Sequence, residues 1–251
     1  MELFFRETGE GEPLIILHGV FGSSDNWLSI AKILGEHHKI YLLDQRNHGQ
    51  SPHSDEFTYE AMANDLNLFI DQHGIENPII MGHSMGGKVA MRFAMDFPDK
   101  LQKLIVVDIA PKSYPVHHDA ILDGLCALDL SELKSRNDAD EQLSKFVHFQ
   151  VTRQFLLKNL TRSPEGFKWK INLPVIKRDI DKIGEGLDEK ARFDKPTLFI
   201  RGLESDYVLD EDIPLIEQMF TNQELVSIEG AGHWVHAEKP QQIIDAITQF
   251  T

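Results

Sequence analysis

Six short apolar runs rich in leucine and β-branched residues recur along the chain: Leu14–Leu17, Ile40–Leu43, Ile79–Met81, Leu104–Val107, Thr197–Ile200 and Leu225–Ile228. Apart from Thr197 and Ser227 they are apolar at every position rather than at every second residue, as expected of a strand covered on both faces. Between them lie stretches of helical periodicity. In Tyr59–His73, Met62, Leu66, Phe69 and Ile70 share one face and Thr58 stands where an N-cap belongs. Strand runs alternating with such helices predict an α/β fold in which a mostly parallel sheet carries helices on both sides.

The alternation lapses after Asp108 and resumes at Thr197. In between come a polar block, Asp129–Gln142, and then Phe146, Phe149, Phe155, Leu156, Leu157 and Trp169 at near-helical spacing. This stretch reads as an insertion whose aromatics fill a small helical core, line a pocket, or do both. The expected organisation is a core of residues 1–108 and 194–251 with a helical cap inserted at 109–193.

Charge and cysteine content narrow the classes of partner. Forty acidic against 25 basic residues leave a net charge of −15, which repels nucleic acid and anionic membranes, so neither is expected as a partner. Cys126 is the sole cysteine, which excludes an intramolecular disulfide and any C-x-x-C site. Its neighbours in Leu125-Cys126-Ala127-Leu128 suggest plain packing. The first residues lack a basic and apolar leader pattern, and no apolar run approaches the ~18 residues a bilayer requires. A cytoplasmic location follows as the expectation.

Three segments carry chemistry. Gly82-His83-Ser84-Met85-Gly86 follows one strand run and opens a helical stretch, the setting in which G-x-S-x-G forces a serine onto a tight turn with its hydroxyl at the sheet edge. A serine hydroxyl needs an adjacent base, and Ala231-Gly232-His233 places His233 in a small-residue loop just beyond the last strand run. His18-Gly19-Val20-Phe21-Gly22 follows the first run, so the backbone N–H of Val20, with that of Met85, is the expected oxyanion hole. Phe21 and Trp234, beside these groups, are the expected substrate contacts.

Two other chemistries compete for the same residues. His233-x-x-His236 with Glu238, and the pairs His37-His38 and His117-His118, suggest metal, but none forms H-E-x-x-H, and a base for Ser84 cannot also ligate zinc. No metal and no cofactor is expected. Gly82 through Lys88 also match G-x-x-x-x-G-K of a nucleotide-binding loop, yet Val89 lacks the hydroxyl that would hold magnesium.

Taken together, His18–Ser23, Asp44-Gln45-Arg46-Asn47-His48-Gly49-Gln50-Ser51, Gly82–Lys88 and Gly232–Pro240 resemble an α/β-hydrolase, and more narrowly the small YbfF-type bacterial esterases. That resemblance implies an eight-stranded, mostly parallel sheet with a helical cap, and hydrolysis of small carboxylic esters or thioesters through an acyl-enzyme on Ser84. Serine at that position is unlike the aspartate of the related dehalogenases and epoxide hydrolases.

The triad acid is open between two residues. Asp108 and Asp206 both follow strand runs ending at the same sheet edge. Many relatives place the acid three residues after Gly202, where this chain has Ser205, whereas resemblance to the YbfF-type subgroup points to Asp108. The expected protein is a serine carboxylesterase of Ser84, His233 and Asp108, acting on a small-molecule ester as a monomer or homodimer. The alternative is a ligand-binding or interaction protein that keeps the fold, with P-loop nucleotide binding a remote third.

Overall fold

All six apolar runs form strands, and each strand extends its run by one or two residues. The structure is a computed structural model, and it describes residues 1–115, 118–164 and 166–251. The chain runs through β1 (Phe5–Thr8), β2 (Glu12–Leu17), α1 (Leu28–Leu34), β3 (His38–Leu43), α2 (Tyr59–His73), β4 (Ile79–His83), α3 (Met85–Asp96) and β5 (Lys103–Val107). Then come α4 (Asp119–Ala127), α5 (Arg136–Leu143), α6 (Gln150–Leu157), β6 (Leu160–Ser163), β7 (Gly166–Trp169) and α7 (Leu173–Ile183). It closes with β8 (Thr197–Gly202), α8 (Ile213–Met219), β9 (Gln223–Ile228), α9 (Val235–Glu238) and α10 (Pro240–Phe250).

The main sheet has the order β1-β3-β2-β4-β5-β8-β9, with β1 antiparallel and every other pairing parallel. Among the described residues it has seven strands, not the eight the resemblance implies. Ahead of β2 only Phe5–Thr8 pairs, in register with Ile40–Leu43, before Gly9 and Gly11 turn the chain at φ 75° and 113°. That leaves room for one short edge strand.

The unbroken apolar character of the strands follows from the two faces. Ile15 and Leu17 of β2 join Ile80, Leu104 and Val106 beneath α2 and α3, packed against Leu66, Phe69, Val89 and Phe93. Leu14 and Ile16 point the other way, with Met81 and Val107, onto Trp27, Ile30, Ile243 and Ile247 around α1 and α10. Successive side chains of a strand alternate faces, so covering both demands apolar residues at every position. The Thr58 hydroxyl caps α2 by accepting from the Ala61 N–H.

Helices α4 to α7 and the antiparallel β6–β7 hairpin lie between β5 and β8. Their buried residues Leu122, Leu125, Leu143, Leu156, Ile176 and Ile180 belong to the same apolar cluster as Met85 and Val89, so they share the core of the sheet face. The hairpin departs from the all-helical insertion that the spacing predicts. Of the aromatics in this stretch, Phe149 is 78% exposed, while Leu156 and Leu157 are buried. Cys126 is exposed rather than packed, because Leu122 and Leu125 occupy the inner face of α4. No helix among the described residues is long and apolar enough to cross a membrane.

Candidate active site

Parallel strands deliver their carboxyl ends to one edge, and that edge gathers His18, Ser84, Asp108, Ser205 and His233. Ser84 sits between β4 and α3 at φ 52° and ψ −118°, a strained conformation for a residue with a Cβ. The turn closes only because its neighbours are bare. A Cβ on Gly82 would lie 2.1 Å from the Gly86 carbonyl oxygen, and one on Gly86 would lie 2.5 Å from that of Leu17. The Ser84 N–H donates to the Val107 carbonyl at 3.0 Å, tying the turn to β5.

Asp108 directly follows β5, is fully buried, and is also left-handed at φ 51°. Its carboxylate accepts three bonds: Oδ1 from the Gly202 N–H at 3.0 Å, and Oδ2 from the Ser205 hydroxyl at 2.5 Å and from His233 Nδ1 at 2.8 Å. With Nδ1 protonated and donating, the opposite nitrogen, Nε2, is free to accept. It lies 3.0 Å from Ser84 Oγ. The His233 ring stacks on Tyr207 at 3.7 Å between centroids and 16° between planes, and its carbonyl accepts from His83 Nε2 at 2.8 Å. Asp206 is exposed and makes no bond to His233.

The turn after β2 is held by two buried histidines. His18 donates from Nδ1 to the Gly19 carbonyl and accepts the Gln45 N–H at Nε2. His48 donates from Nδ1 to the Arg46 carbonyl at 2.9 Å and accepts the Phe21 N–H at Nε2, at 3.2 Å. Each needs an unprotonated Nε2, and burial supplies it, lowering His18 and pushing His48 down to about 3. Phe21 lies at φ 60°, and Asn159 Nδ2 donates to its carbonyl at 2.7 Å. Among the described residues no group accepts from the N–H of Val20 or of Met85, the first residue of α3. The N-terminus of α3 leaves the Met85 donor open, and Val20 lines a cavity together with Ser84.

Two cavities meet at Ser84 and Val20. The larger, about 470 Å³, is walled by Tyr59, Met85, Ile109, Tyr114, Ile183 and Tyr207. The narrower, about 40 Å³, runs between Phe21, Trp27, His83, Phe155, His233 and Trp234. Phe21 and Trp234 thus border the narrow cavity, whereas residues of the larger one, Tyr59, Tyr114 and Ile183, carried no sequence signal. Nor did Tyr207, and Ser205 stood out in the sequence only as the residue filling the alternative acid position, not as a donor to Asp108; both contacts depend on the loop after β8.

Among the described residues no three His, Cys, Asp or Glu side chains gather as metal ligands. His236 stacks on Trp27 at 4.4 Å, His38 bonds the Thr251 hydroxyl at 3.0 Å, and His117 lies outside the described residues. The Lys88 ammonium is buried and gives its donors to the backbone carbonyls of Pro111, Lys112 and Glu185, where a P-loop lysine would meet phosphate oxygens, so the P-loop reading fails there.

A family model described as the alpha/beta hydrolase fold matches residues 12–240. The sn-1-specific diacylglycerol lipase ABHD11 of Mus musculus is 38% identical over 245 residues, which cover 94% of this chain and 80% of that protein. Esterase YbfF of Escherichia coli (strain K12) is 36% identical over 239 residues, covering 95% and 92%. Among solved structures, a marine microorganism esterase superposes with a TM-score of 0.97 at 47% identity, covering 100% of this chain and 99% of that one.

Proposed function

Since the chain belongs to the α/β-hydrolase fold family, we propose that it is a serine carboxylesterase in which Ser84 is the nucleophile, His233 the general base and Asp108 the orienting acid. The observation that carries this reading is the unbroken chain from Ser84 Oγ to His233 Nε2 at 3.0 Å and from His233 Nδ1 to Asp108 Oδ2 at 2.8 Å. The names of the relatives, diacylglycerol lipase and esterase, support a carboxylic ester as the bond attacked.

In this mechanism Ser84 Oγ attacks the ester carbonyl carbon while His233 Nε2 takes its proton. The carbonyl oxygen becomes an oxyanion and receives the N–H groups of Val20 and Met85, preorganised donors that need not reorient as charge develops. The C–O bond to the alcohol then breaks, and the imidazolium returns its proton to the leaving oxygen. Water, activated by the same nitrogen, repeats the sequence on the acyl-enzyme and restores Ser84. Asp108 keeps its charge throughout and stabilises the imidazolium.

The leaving alcohol must lie on the His233 side to receive that proton, and the narrow cavity borders His233. The acyl chain then extends into the larger cavity, past Met85 and Ile109. A panel of p-nitrophenyl esters from acetate to dodecanoate tests the reading, with no added metal. Turnover lost in Ser84→Ala supports it. No turnover by the folded wild-type protein across the panel would instead favour the ligand-binding alternative.

A further inference from the structure

Lys88 stands one turn after Ser84 on α3 and takes no part in the mechanism above. Its side chain is wholly buried. The ammonium donates to the carbonyls of Lys112 at 2.5 Å, Glu185 at 2.8 Å and Pro111 at 3.3 Å, and lies 5.3 Å from the centre of the Tyr114 ring. Among the described residues no carboxylate pairs with it. A buried ammonium without a counter-ion is costly unless its donors are satisfied. Burial, with the neighbouring Lys112 charge, brings it down to about 7.

The acceptors show what that cost secures. Pro111 and Lys112 lie on the segment leaving β5 for the insertion, and Glu185 lies on the segment returning after α7. These two segments cross, joined by Tyr114 N–H to the Gly184 carbonyl at 2.8 Å, Leu187 N–H to that of Pro111 at 2.9 Å, and Gly186 N–H to the Ser113 hydroxyl at 3.0 Å. The same crossing contributes Lys112, Ser113, Tyr114, Ile183 and Gly184 to the wall of the larger cavity. Lys88 is therefore the group by which the nucleophile's own helix grips both strands of that wall.

We propose that Lys88 is a positioning residue for substrate selectivity, holding the crossing of residues 111–114 and 183–187 so that the larger cavity accepts acyl chains of one range of lengths. This rests on the esterase reading and on the acyl group occupying that cavity. An apolar side chain of similar length leaves the Lys112 and Glu185 carbonyls without a donor, takes one of two donors from that of Pro111, and loosens the wall, while the Ser84 turn, fixed by glycines and by Val107, is untouched.

The test compares wild type with Lys88→Met on p-nitrophenyl esters from acetate to dodecanoate, alongside fluorophosphonate labelling of Ser84. Acetate turnover and labelling are expected to stay within about threefold. The preference for the best chain length over acetate should fall at least tenfold, through KM rather than kcat. A proportional loss at every length, or an unchanged length profile, would overturn the proposal. If Lys88→Met does not fold, Ser113→Ala removes one bond of the same crossing, and it should shift the profile in the same direction by two- to threefold. No shift in that folded variant would also overturn it. A wild-type protein that neither labels nor turns over any ester would instead reject the esterase reading, and this inference with it.

Discussion

The Ser205 hydroxyl donates to Asp108 Oδ2, the same oxygen that accepts from His233 Nδ1. Ser205 stands three residues after Gly202, so the loop after β8 supplies a donor to a carboxylate that arrives from β5. Three donors fix the direction of that buried carboxylate.

This arrangement orders three variants. Asp108→Asn should lower kcat on p-nitrophenyl acetate by ~10⁴-fold, because an amide at that position favours the wrong imidazole tautomer. Ser205→Ala removes one bond to a charged group, about 1.5 kcal/mol, and should lower kcat by about tenfold. Asp206→Asn, at an exposed residue with no bond to His233, should stay within about tenfold of wild type. Asp206→Asn falling below Asp108→Asn, at unchanged melting temperature, would move the acid.

The buried histidines predict a specific acid sensitivity. Burial lowers His18, His48, His83 and His236, the last to about 3, below the ordinary histidine value of 6.5. At His48 and His236 the unfolded chain then binds more protons than the native one between about 6.5 and 3, and His18 and His83 act in the same direction below 6.5. Stability is full above that window and falls as pH drops through it, by about 1.4 kcal/mol per pH unit for each such histidine. Urea unfolding at pH 7.5, 6.0 and 5.0 should show that decline. His236→Phe, which keeps the stack on Trp27, should make it shallower by about one histidine's share. A stability that is flat from pH 7.5 to 5 would refute the assignment.

What the sequence made legible follows the reach of each signal. Strands buried on both faces announce themselves by continuous apolar runs, and Ser84 and His233 by the small residues that let the chain turn around them. β1 and the β6–β7 hairpin are short and half-exposed, with polar residues such as Arg6, Glu7 and Thr161 inside them, so no run marks them. Asp108 comes directly off its strand run while Asp206 lies in a loop past Ile200, so position favours Asp108, but no run records which loop folds over His233. Lys88 looked like a phosphate ligand because the motif records a lysine after glycines and not the carbonyls it meets.

The larger cavity predicts a steric boundary. Ile180 and Ile183 project from the end of α7 into its wall. Ile180→Phe should fill part of the space an acyl chain would occupy and shift preference toward acetate, lowering kcat/KM for octanoate relative to acetate by tenfold or more. Each lost methylene contact is worth about 1 kcal/mol or more. An unchanged octanoate to acetate ratio in the folded variant would place the acyl chain elsewhere.

The turn bearing Val20 depends on His48, and this yields the most discriminating variant. Phe21 is held left-handed at φ 60°, a conformation that costs about 1–3 kcal/mol and persists only when its surroundings enforce it. Enforcement comes from both ends of the residue, His48 Nε2 accepting its N–H and Asn159 donating to its carbonyl. His48→Phe leaves that N–H buried without an acceptor, and relaxation of Phe21 turns the preceding Val20 N–H away from the oxyanion. Losing a whole oxyanion donor costs roughly 10²–10³ in kcat, so a displaced one should cost about 10- to 100-fold. The loss should fall on kcat with KM unchanged, since the oxyanion exists only beyond the ground state. Affinity for a boronic acid, which adds to Ser84 as a tetrahedral mimic, should drop by the same factor. His48→Gln, whose side-chain oxygen can accept, should recover part of both. If instead KM rises and kcat holds, His48 shapes substrate binding and not the oxyanion turn.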